Sequence, residues 1–408
     1  VRALICGAGI AGLTLAWHLE RAGWRVEVVE RAPAFRDGGY MIDFYGPGHE
    51  VAVRMGLAGR LEEARHPIDE LSYLDRHGRV TSRLTTPPAF RRVVSLLRGD
   101  LARIIHDDTA APIRYGTSVA GVEQRGETVT VTLTDCTSRD VDLLVGADGA
   151  HSRVRDLTFG AGDRASLRYL GHHVAAYQLR DAGLSREVGT RYRMLTVPGL
   201  MAGAYALGDD RLALLFLRRE PDPALPADPA AALREHYGQL GWILPGALRA
   251  IPDDLYYDQV TQVVMERWSA GRVALLGDAC QAVSLFAGHG ASMAMAAAWV
   301  LADELTGPTA PTGPTGSAGR TELTGGDVPA ALARYEARMR PVIEDVQAFG
   351  RRFVEWMAPS SGLRITARDW LIRLAALPGA DRLFLRSLSP GGHRLITGSP
   401  ERPVAGRL

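Results

Sequence analysis

The chain predicts an α/β fold, on the strength of three segments. The first is Gly7-Ala8-Gly9-Ile10-Ala11-Gly12, directly after the apolar run Leu4-Ile5-Cys6, with Glu30 closing Val26-Glu27-Val28-Val29 further on. The second is Leu143-Leu144-Val145-Gly146-Ala147-Asp148-Gly149. The third is Val273-Ala274-Leu275-Leu276-Gly277-Asp278, followed by Gly288-His289-Gly290 and an Ala/Met-rich stretch of helical length. Short apolar runs that end in glycine turns are how buried parallel strands look in sequence.

Residues 2 to 30 read strand, glycine turn, helix, strand. Ile10, Leu13, Thr14, Trp17 and Leu19 recur at near-helical spacing, and Ala22-Gly23 ends the helix. Residues 46 to 64 carry a helical pattern. Leu71–Asp75 and Val80–Leu84 form a hairpin around His77-Gly78, and Arg98–Asp108 reads as a helix. Val119–Val141 alternates with period two, as do segments between 165 and 220. A proline-rich connection at 221–232 leads into a short helix, and the apolar strand at 272–276 returns the chain to the first domain. Residues 306–329, rich in Gly, Pro, Thr and Ser, are expected to be a flexible loop. Helices are predicted at 330–357 and 362–376, with fraying beyond about 389.

Composition narrows the function classes. With 408 residues, 46% of them hydrophobic, the chain can bury a large core. A net charge of +1 argues against a nucleic-acid or membrane-surface binder, which would carry a basic excess. All 47 Lys+Arg residues are Arg. Cys6, Cys136 and Cys280 are too few and too scattered for a disulfide framework or a metal cluster, and His172-His173 lacks metal-ligand spacing. No metal is expected. No run approaches the ~18 apolar residues of a membrane span, and the first strand begins at residue 2. A cytoplasmic protein, monomeric or weakly dimeric, is the expectation.

The glycine fingerprint carries the first chemical inference. Tight turning, close pyrophosphate approach and helix–strand packing each exclude a side chain. The helix starting near Ile10 offers free N–H groups to an anion, and Glu30 lies at the spacing from which an acid binds a ribose hydroxyl. An acid there favours FAD or NAD over NADP. The fingerprint alone leaves FAD and NAD both open.

Four stretches taken in order decide further: Gly7, Gly9, Gly12, Glu30 and Arg31; Arg98-Gly99-Asp100-Leu101; Asp148-Gly149; and Gly277-Asp278 through Gly290. Over residues 2 to 375 the chain resembles the group A flavoprotein aromatic hydroxylases, the para-hydroxybenzoate hydroxylase fold. Within that group it is most similar to the tetracycline-inactivating and antibiotic-tailoring monooxygenases. The resemblance implies a Rossmann-like FAD-binding domain of the GR2 type, interleaved with a β-sheet substrate domain and followed by C-terminal helices. The FAD-binding domain is expected at 1–75, 97–164 and 263–340, and the substrate domain at 76–96 and 165–262. Bridging helices are expected at 341–390, where Val342, Val346, Phe349, Phe353, Trp356 and Met357 give an apolar face.

The same resemblance assigns the cofactor site to Gly7, Gly9, Ile10, Ala11, Gly12, Glu30, Arg31, Arg98, Asp148, Gly149, Gly277, Asp278, Gly288, Gly290, Ala291 and Ser292. Asp278 would accept hydrogen bonds from ribityl hydroxyls. Gly288 and Gly290 would let the backbone approach the flavin ring, and the helix from Ala291 would aim its positive end at the pyrimidine edge. Arg98 would sit near the ribityl or diphosphate part; a solvated helix-end arginine is the alternative. For Asp148 the alternative is a turn carboxylate. His289 is the one candidate for proton transfer near the flavin, against a packing role.

Substrate contacts are expected from Tyr177, Gln178, Arg191, Arg193, Tyr205 and Phe286, a mixture that suits a polycyclic or phenolic molecule with polar rims. The implied activity is NAD(P)H- and O₂-consuming oxygenation through a flavin C4a-hydroperoxide, with no catalytic side chain of its own. The chain departs from the resemblance at Cys280-Gln281, at Ser284-Leu285 where relatives have proline, and at Ser292 where they have Asn. The altered Ser284-Leu285 loop leaves open a flavin-containing cyclase or other non-oxygenating flavoprotein; a noncatalytic flavin- or ligand-binding protein is a separate alternative. A halogenase is excluded, because that chemistry needs a lysine.

Overall fold

The structure, a computed structural model, describes residues 1–35, 39–85, 93–160, 166–285, 288–307 and 328–375. The order of the strands explains how two sheets grow from one chain. The first sheet has six strands, in spatial order Ser269–Ala270, Val273–Leu275, Leu143–Gly146, Arg2–Cys6, Arg25–Glu30 and Ile113–Tyr115. Its pairings are parallel except at the Ser269–Ala270 edge. Leu4, Ile5, Leu143, Leu144, Val145, Val273, Ala274 and Leu275 are fully buried, as strands covered on both faces must be. All three segments singled out in the sequence therefore lie side by side in this one sheet.

The strand Arg2–Cys6 has Arg25–Glu30 on one side and Leu143–Gly146 on the other. Such a reversal of strand order opens a crevice at the carboxyl ends of the strands, and the first glycine turn sits there. The helices Ile10–Arg21 and Gly290–Thr306 pack against each other, and Val328–Met357 packs on the second of them. A three-stranded antiparallel sheet (Val119–Arg125, Thr128–Leu133, Ser138–Val141) joins the same core through Val129, Val131 and Leu133.

The second sheet has seven strands, in spatial order Tyr256–Val263, Leu167–Arg180, Arg211–Arg219, Leu200–Gly208, Arg191–Val197, Glu70–Leu74 and Val80–Thr85. One face carries Val174, Ala176, Tyr192, Met194, Met201, Tyr205 and Leu215, and packs with Met41, Leu97, Val354 and Met357. The other carries Ala175, Tyr177, Leu195, Ala202, Ala204, Leu214 and Phe216, and is closed by the helices Pro229–Tyr237 and Leu244–Arg249. Period-two alternation along each strand decides which residues face the first domain.

Two expected boundaries change. Glu70–Leu74 does not belong with the first domain: it pairs parallel with Arg191–Val197 and antiparallel with Val80–Thr85, so the hairpin stays whole inside the seven-stranded sheet. Val94–Leu97 pairs instead with Met41–Phe44 in a separate two-stranded sheet, and Val94 and Leu96 enter the first core. The expected helix at 46–64 is two helices, Pro47–Arg54 and Ala58–Glu63, parted at Gly56, whose φ of +82° a helix cannot absorb. Residues 308–327 of the expected loop and those beyond 375 lie outside the described residues.

Candidate functional site: a cleft between the two sheets

The three glycines of the first turn do different work. A Cβ on Gly7, where φ is +112°, would lie 2.3 Å from the carbonyl oxygen of Ala147; one on Gly12 would lie 2.0 Å from the carbonyl oxygen of Gly7. Both are therefore packing glycines. A Cβ on Gly9 would meet nothing within 4 Å. Gly9 is also the N-cap of the helix Ile10–Arg21, with no side chain capping it. Around an anion-favouring helix terminus, that open space is the one a diphosphate requires. Ile10 and Ala11 are buried behind it, and the Ala11 methyl stands 2.8 Å from where Gly277, at φ +63°, would carry a Cβ.

Glu30 accepts backbone N–H groups from Ala8 (2.9 Å) and Ala32 (2.8 Å), one on each carboxylate oxygen. Each oxygen retains lone-pair capacity for a hydroxyl, while the two amides hold the side chain still. Arg31 beside it is exposed.

Arg98 and Asp278, remote in sequence, come within electrostatic reach of each other. Arg98 opens the helix Arg98–His106, and its backbone N–H donates to the Tyr40 carbonyl at 3.0 Å. Asp278 follows Gly277 at the end of the Val273–Leu275 strand and is open to solvent. Surrounding protein nevertheless desolvates the Asp278 carboxyl and raises its pKa, against the opposing charge of Arg98. Tyr40 is raised by desolvation too; Arg98 opposes that shift and Asp278 adds to it. A carboxylate that is wetted yet enclosed lines a cleft, and an arginine faces it there.

Asp148 has a structural occupation. It accepts from the Ser152 hydroxyl (2.5 Å) and from the backbone N–H groups of Arg153 (2.7 Å) and Val154 (3.1 Å), closing the start of the helix Arg153–Phe159. Gly149 beside it turns at φ +84°. Ser292 is similarly committed: its hydroxyl donates to the Tyr45 carbonyl (2.7 Å) and accepts from Gly48 N–H (2.9 Å). A Cβ on Gly48 would fall 2.4 Å from the Ser292 Cα, so this latch clasps two backbones at contact distance. The Ser292 hydroxyl therefore holds the start of the helix Gly290–Thr306 in place.

Gly288, at φ +67°, and Gly290 each leave open space where a Cβ would stand, at a helix start with no side-chain cap. Ala291 packs against the first core. His289 is buried edge-on between Tyr45 (centroids 4.9 Å apart) and Phe349 (6.1 Å). Phe286 lies outside the described residues. Ser284, just before it, is buried at φ +79°, a backbone conformation closed to proline.

Strand parity sorts the remaining substrate candidates. Gln178 and Tyr205 face the cleft side: Gln178 donates to the Gly39 carbonyl at 3.0 Å, and Tyr205 stacks on Tyr192 with centroids 4.0 Å apart. Tyr177 points the other way. It stacks on Phe216 and donates to the Ala247 carbonyl at 2.9 Å, making it a core residue of the outer face. Arg191 and Arg193 share the parity of Leu195 on that same outer face, and Arg191 Nε donates to the Val188 carbonyl. These three choices rested on residue chemistry; counting alternate positions would have replaced them with Tyr192. The strand Met41–Phe44 was also overlooked. Met41 packs under the cleft face and Phe44 in the first core, so Asp43 shares the cleft-facing parity of Met41.

Residues 1–166 match the FAD binding domain family. An uncharacterized protein of Mycobacterium tuberculosis is 33% identical over 84% of this chain and 90% of its own length. A flavin-dependent monooxygenase of an unknown prokaryotic organism is 30% identical over 85% of this chain and 88% of its own. Among solved structures, tetracycline destructase Tet(55) is similar with a TM-score of 0.74 and 27% identity, covering 92% of this chain and 96% of that one.

Proposed function

The chain belongs to the FAD-dependent monooxygenases, and from that premise we propose that it oxygenates an aromatic or polycyclic small molecule at the expense of NAD(P)H and O₂. The observation that carries this reading is the set of openings along one cleft. Gly9, Gly288 and Gly290 leave unfilled space at two uncapped helix starts, and Asp278, enclosed by protein, lies within electrostatic reach of Arg98. These residues fit FAD: diphosphate at Gly9, adenosine ribose at Glu30, ribityl hydroxyls at Asp278, flavin ring at Gly288 and Gly290.

When bound, FAD supplies the redox chemistry, passing two electrons from NAD(P)H to O₂ so that one oxygen atom enters the substrate and the other leaves as water. The protein's own residues bind, orient and exclude water. The uncapped start of the helix Gly290–Thr306 would offer its positive backbone end to the negative charge of a reduced ring held at Gly288 and Gly290. Met194, Met201, Leu215, Leu97 and Met41 form an apolar layer behind the site, which would help to keep water from the reacting atoms. Gln178 and the Tyr192–Tyr205 stack supply polar edges to that layer. No side chain is required as acid or base.

The purified protein should be yellow and should oxidise NAD(P)H with O₂ uptake that a polycyclic phenol stimulates. A flavin-free protein that resists reconstitution sinks the proposal. Ser284 gives a second reading some footing, since its φ of +79° puts a loop shape where the resemblance has proline. In that reading the protein transforms substrate without redox turnover. Product formed in the absence of NAD(P)H would favour it.

No helix among the described residues is long and apolar enough to cross a membrane.

A further inference from the structure

We propose that Asp43 is the recognition point for a protonated amine on the substrate, seated against the tyrosines of the cleft wall. This rests on the cleft being the substrate site, and it names a chemical class which the oxygenase assignment leaves open.

The placement of Asp43 comes from strand geometry. Met41–Phe44 alternates between the two cores: Ile42 and Phe44 pack into the first, and Met41 under the seven-stranded sheet, so Asp43 projects with Met41. The carboxylate is open to solvent, yet protein encloses it closely enough that desolvation is the main influence on its ionisation. It accepts one hydrogen bond, from Ser95 Oγ at 2.6 Å. With two oxygens and about four lone-pair positions, it keeps most of its accepting capacity.

The charge environment separates Asp43 from its neighbour. Asp278 is faced by Arg98. For Asp43, burial and Ser95 are the influences, and no arginine among the described residues contributes. What stands within its electrostatic reach is aromatic: Tyr45, Tyr192 and Tyr205. Tyr192 and Tyr205 are stacked at 18°, and the Tyr192 ring lies over Gly203, where a Cβ would fall 2.7 Å from its hydroxyl oxygen. Among the described residues, the one arginine stacked on a tyrosine of this wall, Arg368 on Tyr73, is bonded to Asp369.

An uncompensated carboxylate beside phenol rings is the combination that favours a cation over a neutral group of the same shape. The carboxylate would supply charge and hydrogen-bond acceptance, and tyrosine rings within its electrostatic reach would add cation–π attraction. A bound ammonium would also relieve the desolvation that Asp43 bears in the cleft.

The test uses two phenols that differ only in the terminal group, tyramine (ammonium) and tyrosol (hydroxyl). Each is titrated at pH 7.5 into the FAD-loaded protein by calorimetry and saturation-transfer NMR. Wild type should bind tyramine about tenfold more tightly than tyrosol. Asp43→Asn, which keeps an acceptor for Ser95, should abolish that preference while leaving tyrosol unchanged. Equal affinities in wild type, no detectable binding of tyramine, or a preference that survives in Asp43→Asn would each overturn the proposal. A melting curve establishes that the variant is folded. The visible spectrum of the purified protein before loading reads flavin separately: a protein that takes up no FAD, and is then titrated without it, yet still prefers tyramine would sink the oxygenase reading and leave the amine site standing.

Discussion

Three glycines in one fingerprint should respond to the same added methyl in opposite ways. At Gly9 the backbone has φ −82° and ψ −178°, a region open to any L-residue, and the new Cβ meets nothing within 4 Å. Gly9→Ala gains about 0.4–1 kcal/mol by lowering the entropy of the unfolded chain and gives up an N-cap preference of similar size, so the cofactor-free protein should melt within about 1 kcal/mol of wild type. At Gly12 the methyl would stand 2.0 Å from the Gly7 carbonyl oxygen and 3.2 Å from Ile5 Cγ2. Both belong to backbone and strand at the centre of the first sheet, and neither can swing aside. Gly12→Ala should therefore lose about 1–3 kcal/mol or more, as overpacked cores do. The assay pairs the melting of cofactor-stripped protein with flavin retained through purification, read from visible absorbance. Gly9→Ala should keep its melting temperature and lose flavin affinity by about tenfold or more, roughly 1.4 kcal/mol. Full flavin occupancy in Gly9→Ala would refute the assignment of that space to the diphosphate. Unchanged melting of Gly12→Ala would refute the packing geometry.

Further outcomes follow from the same geometry. Asp278→Ala should yield flavin-poor protein. In the cofactor-free state, Asp278→Asn should be more stable than wild type near pH 7. The folded-state pKa of Asp278 is raised above its ordinary 3.8, so whatever stability the carboxyl contributes is present below that value and lost as pH rises through the folded one. The advantage of Asn over Asp should accordingly narrow as pH falls from 7 toward 4, and a difference that is flat or reversed counts against the enclosed carboxylate. Asp148→Ala removes one acceptor for three donors at the start of the helix Arg153–Phe159 and should cost about 1–3 kcal/mol in chemical denaturation. Gln347→Ala should cost a similar ~1–3 kcal/mol. Its side-chain amide bonds the carbonyls of Val263 (2.8 Å) and Ala282 (3.0 Å), tying the long C-terminal helix to the segment before Ser284. Tyr177→Phe should lose about 1 kcal/mol with the Ala247 hydrogen bond and leave the KM for any substrate unchanged; a raised KM would return Tyr177 to the cleft.

Much of the cofactor end was legible in the one-dimensional pattern because its constraints are local. A strand, a glycine turn and a helix start are contiguous residues, and the requirement for absent side chains is written directly as Gly7, Gly9 and Gly12. The same holds for Gly277-Asp278, whose turn and carboxylate follow a buried strand without interruption. What the pattern could not separate was which glycine serves a ligand and which serves a neighbour. That depends on Ala147 and on the Gly7 carbonyl occupying particular points in space.

On its own, then, the amino-acid order determined the fold class, a dinucleotide-type cofactor and the residues of each turn, since backbone conformation and short-range spacing are properties of neighbouring residues. The tertiary structure decided the wall of the cleft. Asp43, Tyr192 and Tyr205 come from different strands, and each faces inward only because its register sets its side of the sheet. Shift a strand by one residue and Tyr177 or Arg193 would stand there instead. Packing of the two sheets against each other, which is cooperative and long-range, selects the register that buries the apolar face, and with it the polar groups available to a substrate.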